Sequence, residues 1–127
     1  DGIFERPIAT RTIQLANGEE VKIATVYDLM TSQYGVKRFE HELEATSYDD
    51  ASSKYTPAWQ EQITGIKKEL VTKVAKEFAQ NAIDTGGRSM IIMGAGINHW
   101  FNSDTIYRSI LNLVLLCGCQ GVNGGCW

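Results

Sequence analysis

Residue types and patterns that characterise several large classes of protein are scarce in this sequence. Its 127 residues include only two prolines, two histidines and three cysteines. The 12 basic and 15 acidic residues give a net charge of −3, without the basic clusters that neutralise nucleic-acid phosphates. The longest largely apolar stretch, residues 110–117 with Asn112 within it, is far shorter than the roughly 20 residues that cross a bilayer. We therefore expect neither nucleic-acid binding nor a transmembrane helix.

The three cysteines argue against a disulfide framework and against a metal cluster. Cys117, Cys119 and Cys126 all lie in the last eleven residues of the chain. An odd number of cysteines suits a secreted disulfide scaffold poorly, so a reducing compartment is expected. Zinc and iron–sulfur sites use four ligands and wider gaps than the one residue between Cys117 and Cys119. We interpret these thiols as small buried hydrophobic groups.

Local signals predict an α/β fold that begins with a β-hairpin. Residues 11–25 alternate polar and apolar side chains around Asn17-Gly18, which is the strongest short-range hairpin signal. Thr56 and Pro57 mark a helix start, and apolar residues recur at intervals of three and four between 67 and 84. Residues 37–54 are charged and aperiodic, and are predicted to form an exposed connection with a helical turn at 39–43. The predicted elements are a hairpin at 11–25, helices near 26–34, 57–64, 67–84 and 104–117, and a strand at 88–93.

A glycine turn after the predicted strand is the candidate binding site. Residues 89–93 form a short apolar run, which is typical of a strand buried on both faces of a parallel sheet. Gly94 and Gly96 remove side chains at the carboxyl end of this strand, where open α/β sheets bind ligands and the next helix begins. The pattern predicts an anionic ligand, and a plain strand-to-helix turn is the alternative.

The residues that follow the turn favour the ligand site. His99 stands where a dinucleotide fingerprint has its third glycine, and no acidic residue follows at the usual distance, so a standard NAD site is disfavoured. Asn98, His99 and Trp100 are three large hydrogen-bond donors. A neutral turn would favour small residues at these positions.

Two features indicate a piece of a longer protein. The chain starts at Asp1 without an initiator methionine and ends in a glycine-rich loop. The helix near 104–117 is apolar nearly all round, which is typical of a helix buried in a large protein. We therefore expect residues 1–127 to be part of a larger fold.

Several motifs together resemble one family of enzymes. The segment Gly94-Ala-Gly-Ile-Asn-His-Trp100, the pair Tyr107-Arg108 and the stretch 113–125 resemble the catalytic α subunits of membrane-bound respiratory nitrate reductases, which are molybdopterin oxidoreductases. Residues 55–59, 63–66 and 74–79 resemble the same subunits, so the resemblance covers most of the chain. It implies that residues 1–127 are part of a molybdopterin oxidoreductase catalytic domain.

The resemblance implies a cofactor and roles for the turn residues. The enzyme would reduce nitrate to nitrite in anaerobic respiration by two-electron oxygen-atom transfer, using bis(molybdopterin guanine dinucleotide) molybdenum. Gly94, Gly96 and Asn98 would lie against the pterin, and His99 and Trp100 would face the molybdenum pocket. His99 would be a catalytic pocket residue that orients oxyanion or cofactor without ligating the metal, with a structural histidine as the alternative. The family's molybdenum ligand and 4Fe-4S ligands lie upstream of this segment, so no metal ligand is assigned.

The resemblance also implies an assembly at a membrane. The partners would be an iron–sulfur β subunit and a haem-b membrane γ subunit, with nitrate as substrate. The complex would lie at the cytoplasmic face of the bacterial cell membrane, with this subunit held there by its partners. The segment alone would be inactive, because the metal ligand and the cluster lie elsewhere.

One departure from the family pattern and two other functions remain to be tested. The family tail reads Gly-Gly-Gly-Trp, whereas this chain has Gly124-Gly-Cys-Trp127, so cofactor contact at Cys126 is in doubt. A related enzyme acting on selenate, chlorate or formate is one alternative. A non-catalytic α/β module that binds a nucleotide or phosphate through residues 94–96 is the other.

Overall fold

Helices and one small antiparallel sheet make up the described part of the chain, in agreement with the mixed fold class predicted from sequence. The structure is a computed structural model that describes residues 7–36, 47–54 and 56–126. The chain divides into two units, Asp1–Glu69 and Leu70–Trp127. The predicted helical turn at 39–43 lies outside the described residues.

The first unit opens with the predicted hairpin. Strands β1 (Arg11–Gln14) and β2 (Glu20–Ile23) are antiparallel, with Arg11 opposite Ile23. The turn closes where the Leu15 N–H donates to the Glu19 carbonyl at 2.8 Å. Gly18 has a φ of +86°, a conformation that glycine adopts without steric cost. The Asn-Gly signal therefore predicted the turn correctly.

Side-chain caps begin the next two helices. Helix α1 (Val26–Gln33) starts with a capping box in which Thr25 Oγ1 accepts from the Asp28 N–H at 3.1 Å, and Asp28 Oδ2 accepts from the Thr25 N–H at 2.8 Å. Helix α2 (Pro57–Thr64) starts with Thr56 Oγ1 accepting from the Trp59 N–H at 3.1 Å. Both helices begin at the residues predicted from sequence.

An acidic side chain joins α2 to helix α3 (Lys68–Thr85). Glu61 accepts from Lys67 Nζ at 2.7 Å through one oxygen and from the Lys68 N–H at 3.0 Å through the other. The second contact satisfies a backbone donor at the start of α3, where negative charge is favoured by the helix dipole. The Lys67 ammonium and the Lys68 N–H hold the pKa of Glu61 below its ordinary value.

The second unit contains most of α3, the short helix α4 (Ala95–Asn98) and helix α5 (Ser103–Leu116). Helices α3 and α5 end in the same way. The Gly87 N–H donates to the Ala82 carbonyl at 2.7 Å, and the Cys119 N–H donates to the Val114 carbonyl at 2.9 Å. These are the long hydrogen bonds of Schellman motifs, and Gly86 and Gly118 have the positive φ values that such motifs need.

A small core lies beneath these two helix ends. Ala82, Val114 and Cys119 are buried and in one cluster, and partly buried hydrophobic side chains pack against it: Phe78, Ile91 and Cys117. Cys119 is fully buried, as expected for a cysteine acting as a small hydrophobic residue. Each member of the cluster lies in α3, α5 or the segments that follow them.

The predicted buried strand at 88–93 is wrong for this chain. The segment makes a single parallel bridge, between Met90 and Cys126, with the Ile91 N–H donating to the Cys126 carbonyl at 3.1 Å. Met90 is 51% exposed and Ile92 is 89% exposed. A strand needs a ladder of hydrogen bonds to its neighbours, and the described residues of this unit offer it one partner residue.

Helix α5 has the predicted position, but it is not the buried helix that its composition suggests. Only Val114 is buried, whereas the neighbouring leucines, Leu113, Leu115 and Leu116, are 37–53% exposed. Too few elements surround the helix in the described residues to cover an apolar surface that extends nearly all round it. Within residues 7–36, 47–54 and 56–126, every helix is too short or too polar to span a lipid bilayer.

Two glycines, Gly87 and Gly125, let the backbone segments of the second unit pack directly on one another. A Cβ added at Gly125 would lie 2.1 Å from the Gly87 carbonyl oxygen and 2.8 Å from the Cys119 carbonyl oxygen. A Cβ added at Gly87 would lie 2.5 Å from the Gly118 carbonyl oxygen. The glycine-rich tail is therefore packed against the ends of α3 and α5 and is not a loose loop.

Replacing Glu61 with glutamine tests the α2–α3 junction through pH. The folded pKa of Glu61 is lowered, so its stabilisation is present above the ordinary value of 4.5 and is lost as pH falls through the folded pKa. We expect Glu61→Gln to lower the melting temperature at pH 7 and the difference from wild type to shrink at pH 3. Glu77→Gln is the control, because its carboxylate lies 3.8 Å from Lys73 in an exposed pair. A Glu61→Gln difference that does not change with pH would contradict the assignment.

Replacing Gly125 with alanine tests the backbone packing. The added methyl group meets two carbonyl oxygens, so we expect unfolding free energy to fall by at least about 2 kcal/mol. Gly96→Ala is the control, since nothing in the chain lies within 4 Å of a Cβ there. Urea denaturation of both variants measures the difference, and equal stabilities would show that the close approach is absent.

Candidate functional site

The glycine turn forms the first part of the candidate site. Gly94 caps α4, and its carbonyl accepts from the Ile97 N–H at 3.0 Å. The Trp100 N–H then donates to the Ile97 carbonyl at 3.4 Å, and the Ser103 N–H donates to the Trp100 carbonyl at 3.1 Å. Successive short turns thus carry the backbone from residue 94 into α5. The sequence placed one helix here after the turn, and the structure has two, α4 and α5.

The backbone of the turn is open to a ligand. A Cβ added at Gly94 or Gly96 would meet no other atom of the chain within 4 Å. Within the described ranges, no acceptor takes the N–H groups of Gly94, Ala95 or Gly96. Consecutive amides without an acceptor in the described residues can donate hydrogen bonds to an anion. The two glycines therefore differ from Gly125 of the tail, whose Cβ position lies against neighbouring carbonyl oxygens.

Asn98 is held by a residue to which the sequence assigned no role. Tyr107, in the first turns of α5, donates its hydroxyl hydrogen bond to Oδ1 of Asn98, which is the last residue of α4. This contact links the candidate site to α5. The sequence signals for Tyr107 are its place in the Tyr107-Arg108 motif and its position near the start of the helix that follows the turn.

The two remaining candidate residues lie at the surface of the second unit. His99 ends α4 and is exposed, and Trp100 is 68% exposed. Phe101, which the sequence analysis did not single out, is fully exposed. The five candidates, Gly94, Gly96, Asn98, His99 and Trp100, lie along one continuous stretch of backbone, from the N-cap of α4 to the residue after its C-cap. Its side chains offer amide, imidazole and indole donors beside the free backbone amides.

A polar network fixes the segment that leads into the turn. The buried Ser89 hydroxyl donates to the Phe78 carbonyl of α3 at 2.9 Å and accepts from Asn81 Nδ2 at 2.8 Å. Asn81 Nδ2 also lies 3.1 Å from the Arg88 carbonyl. These bonds replace part of the ladder that a strand would have, and so determine where the chain enters the turn. Sequence reasoning missed both Asn81 and Ser89.

The cysteines do not form a metal site in the described part of the chain. No group of three or more histidine, cysteine, aspartate or glutamate side chains there is placed to hold a metal ion. Burial raises the pKa of the Cys117 thiol, and the neighbouring Cys119 raises it further. A raised pKa disfavours the thiolate that metals bind.

Cys126 has an unusual backbone. Its φ is +89°, and it is the one non-glycine residue with positive φ in the described ranges. Its carbonyl accepts from the Ile91 N–H, and its thiol lies 3.3 Å from Gln120 Oε1. A side chain at positive φ is strained by its own backbone. The position therefore suits glycine, the residue that the family pattern leads us to expect there.

Comparison with known proteins gives one family. The family profile described as "Molybdopterin oxidoreductase" matches residues 4–127. The nitrate reductase alpha chain of Bacillus subtilis is 66% identical over 125 residues, 98% of this chain. The respiratory nitrate reductase 1 alpha chain of Escherichia coli is 45% identical over 128 residues, 100% of this chain.

A more distant relative is named for a different oxyanion, perchlorate. The perchlorate reductase subunit alpha of Dechloromonas aromatica is 30% identical over 113 residues, 89% of this chain. The chain spans about a tenth of the length of each of these three relatives, 10% in every case. The similarity is therefore to one segment of a much longer subunit.

Replacing Cys126 with glycine tests the strained tail. Glycine adopts a φ of +89° freely, so we expect Cys126→Gly to raise the unfolding free energy by about 1 kcal/mol. Cys126→Ala is the matched control, because it removes the thiol but keeps the strained conformation. Denaturation curves for both variants give the comparison. An equal gain in Cys126→Ala would assign the effect to the thiol and would contradict the strain.

Proposed function

Because the chain belongs to the molybdopterin oxidoreductase family, we propose that it is a segment of the catalytic subunit of an enzyme that reduces nitrate to nitrite. The observation that carries this proposal is the 66% identity to the Bacillus subtilis nitrate reductase alpha chain over 98% of this chain. Identity to perchlorate reductase is 30%, so nitrate is favoured over perchlorate as the substrate. A non-catalytic phosphate-binding module is disfavoured, because the family profile covers residues 4–127.

The residues of the turn fit the family's cofactor. Gly94 and Gly96 leave open space where a Cβ would stand, and consecutive free amides beside them suit a polar, anionic group. The proposed cofactor is bis(molybdopterin guanine dinucleotide) molybdenum, which when bound supplies the two-electron oxygen-atom transfer. Gly94, Gly96 and Asn98 would hold its pterin, with backbone N–H groups and the Asn98 amide as donors.

His99 and Trp100 are proposed to face the reacting atoms from the protein side. His99 is exposed in this chain, so its imidazole ring is accessible to a ligand. It would donate a hydrogen bond to the bound oxyanion and orient it without ligating the metal. The exposed Trp100 indole would cover the pocket and limit access of water. The molybdenum ligand and the 4Fe-4S ligands are proposed to lie elsewhere in the subunit.

The subunit is proposed to work within a membrane complex. The names of the similar proteins specify an alpha chain, and an alpha chain has companion subunits. An iron–sulfur β subunit and a haem-b γ subunit would supply electrons, and the complex would lie at the cytoplasmic face of the bacterial cell membrane. Nucleic acid is not a proposed partner, because the net charge is −3 without a basic cluster.

Assays of the full-length subunit test this function. We expect the wild-type enzyme to contain molybdenum and to reduce nitrate with reduced viologen as electron donor. His99→Ala should lower kcat/KM for nitrate about 100-fold with molybdenum retained, because a donor to the oxyanion is lost. Gly96→Ala should lower the molybdenum content, because the methyl group enters the space left for the cofactor.

The controls separate substrate, cofactor and histidine effects. His41→Ala removes the only other histidine, and we expect it to leave kcat/KM unchanged. A molybdenum-loaded enzyme that reduces perchlorate and ignores nitrate would overturn the substrate assignment. Full activity in His99→Ala would contradict the catalytic role of His99 and would indicate a structural role.

A further inference from the structure

The contact between Tyr107 and Asn98 determines which end of the Asn98 amide is available. The Tyr107 hydroxyl donates to Oδ1 of Asn98, so the oxygen of the amide is engaged. An amide group is planar, with its oxygen and its NH₂ on opposite sides. The NH₂ group therefore points away from Tyr107. Among the described residues, no acceptor takes a hydrogen bond from it, and Asn98 is exposed.

The turn does not need this contact to hold its shape. Backbone hydrogen bonds already join its successive turns, from Ile97 to Gly94, from Trp100 to Ile97 and from Ser103 to Trp100. Tyr107 is anchored in α5, a 14-residue helix, so its hydroxyl approaches Asn98 from a rigid element. A fixed donor on a rigid helix is well suited to hold one orientation of a surface amide.

We propose that Tyr107 is a positioning residue that holds the Asn98 amide with its NH₂ group toward an oxygen atom of the molecule bound at residues 94–98. This inference rests on the proposed function, which places the cofactor and the oxyanion at that turn. The oxygen belongs either to the cofactor or to the substrate oxyanion, and both accept hydrogen bonds from an amide. Without Tyr107 the amide can rotate and present its own oxygen, which repels such an acceptor.

Three variants of the full-length subunit separate positioning from simple structural support. Tyr107→Phe removes the hydroxyl and changes no charge. Asn98→Asp keeps an acceptor for Tyr107 but removes the NH₂ donor. Tyr48→Phe is the matched control, because Tyr48 is a 62% exposed tyrosine of the first unit and has no part in the turn. For each variant, nitrate KM, kcat, molybdenum and guanine-nucleotide content and melting temperature are measured.

We expect Tyr107→Phe to weaken the binding of either nitrate or the cofactor by about threefold to tenfold, which is the effect of losing one hydrogen bond. If the oxygen belongs to the oxyanion, KM for nitrate rises and molybdenum content stays at the wild-type level. If it belongs to the cofactor, the molybdenum and guanine-nucleotide content falls and KM of the loaded enzyme is unchanged. Asn98→Asp should change the same quantity by a larger factor while keeping the wild-type melting temperature.

The double variant supplies a further check. With Asp at position 98 the NH₂ group is absent, so adding Tyr107→Phe should cause less than a twofold additional change. A lower melting temperature in Tyr107→Phe with KM and cofactor content unchanged would overturn the proposal. A wild-type subunit that binds molybdenum but does not reduce nitrate would instead refute the substrate part of the proposed function, and the cofactor measurements would still test Tyr107.

Discussion

The packing of backbone on backbone at Gly87 and Gly125 is the constraint on which the second unit depends. Side chains cannot fit where these segments meet, because an added Cβ would fall within 2.1 to 2.8 Å of carbonyl oxygens at Gly125. The ends of α3 and α5 are thereby brought together over a core of three small residues, Ala82, Val114 and Cys119. The tail that packs there also supplies Cys126, the partner of the segment before the turn. This junction therefore positions the segment that leads into the candidate site.

The glycines of the second unit have different structural roles. Gly86 and Gly118 supply positive φ at helix ends, and Gly125 supplies room for neighbouring carbonyl groups. Gly94 and Gly96 supply neither, since no neighbouring atom lies within 4 Å of a Cβ and neither has positive φ. Removing a side chain where nothing in the chain takes its place is consistent with close approach by a ligand. The cofactor assignment to the turn draws its physical support from that difference.

Exposed apolar surface is the second property of this unit that bears on function. Ile92, Trp100 and Phe101 are 68–100% exposed, and they lie before and after the glycine turn. Large apolar side chains that are exposed together in a folded domain often mark a binding surface. The chain corresponds to about a tenth of its relatives, 10% of the Bacillus subtilis subunit. Under the proposed function, these residues would be covered by the cofactor and by the rest of the longer subunit.

Features that depend on residues a few positions apart could be predicted from the amino-acid sequence. Asn17-Gly18 predicted the hairpin, Thr56-Pro57 predicted the start of α2, and the Gly-x-Gly turn predicted where candidate donors gather. Tertiary structure alone decided that residues 88–93 make one bridge and no strand, that Tyr107 engages Asn98, and that Ser89 is tied to α3. The reason is that caps and turns are satisfied by local hydrogen bonds, whereas strands, burial and side-chain orientation need partners distant in sequence.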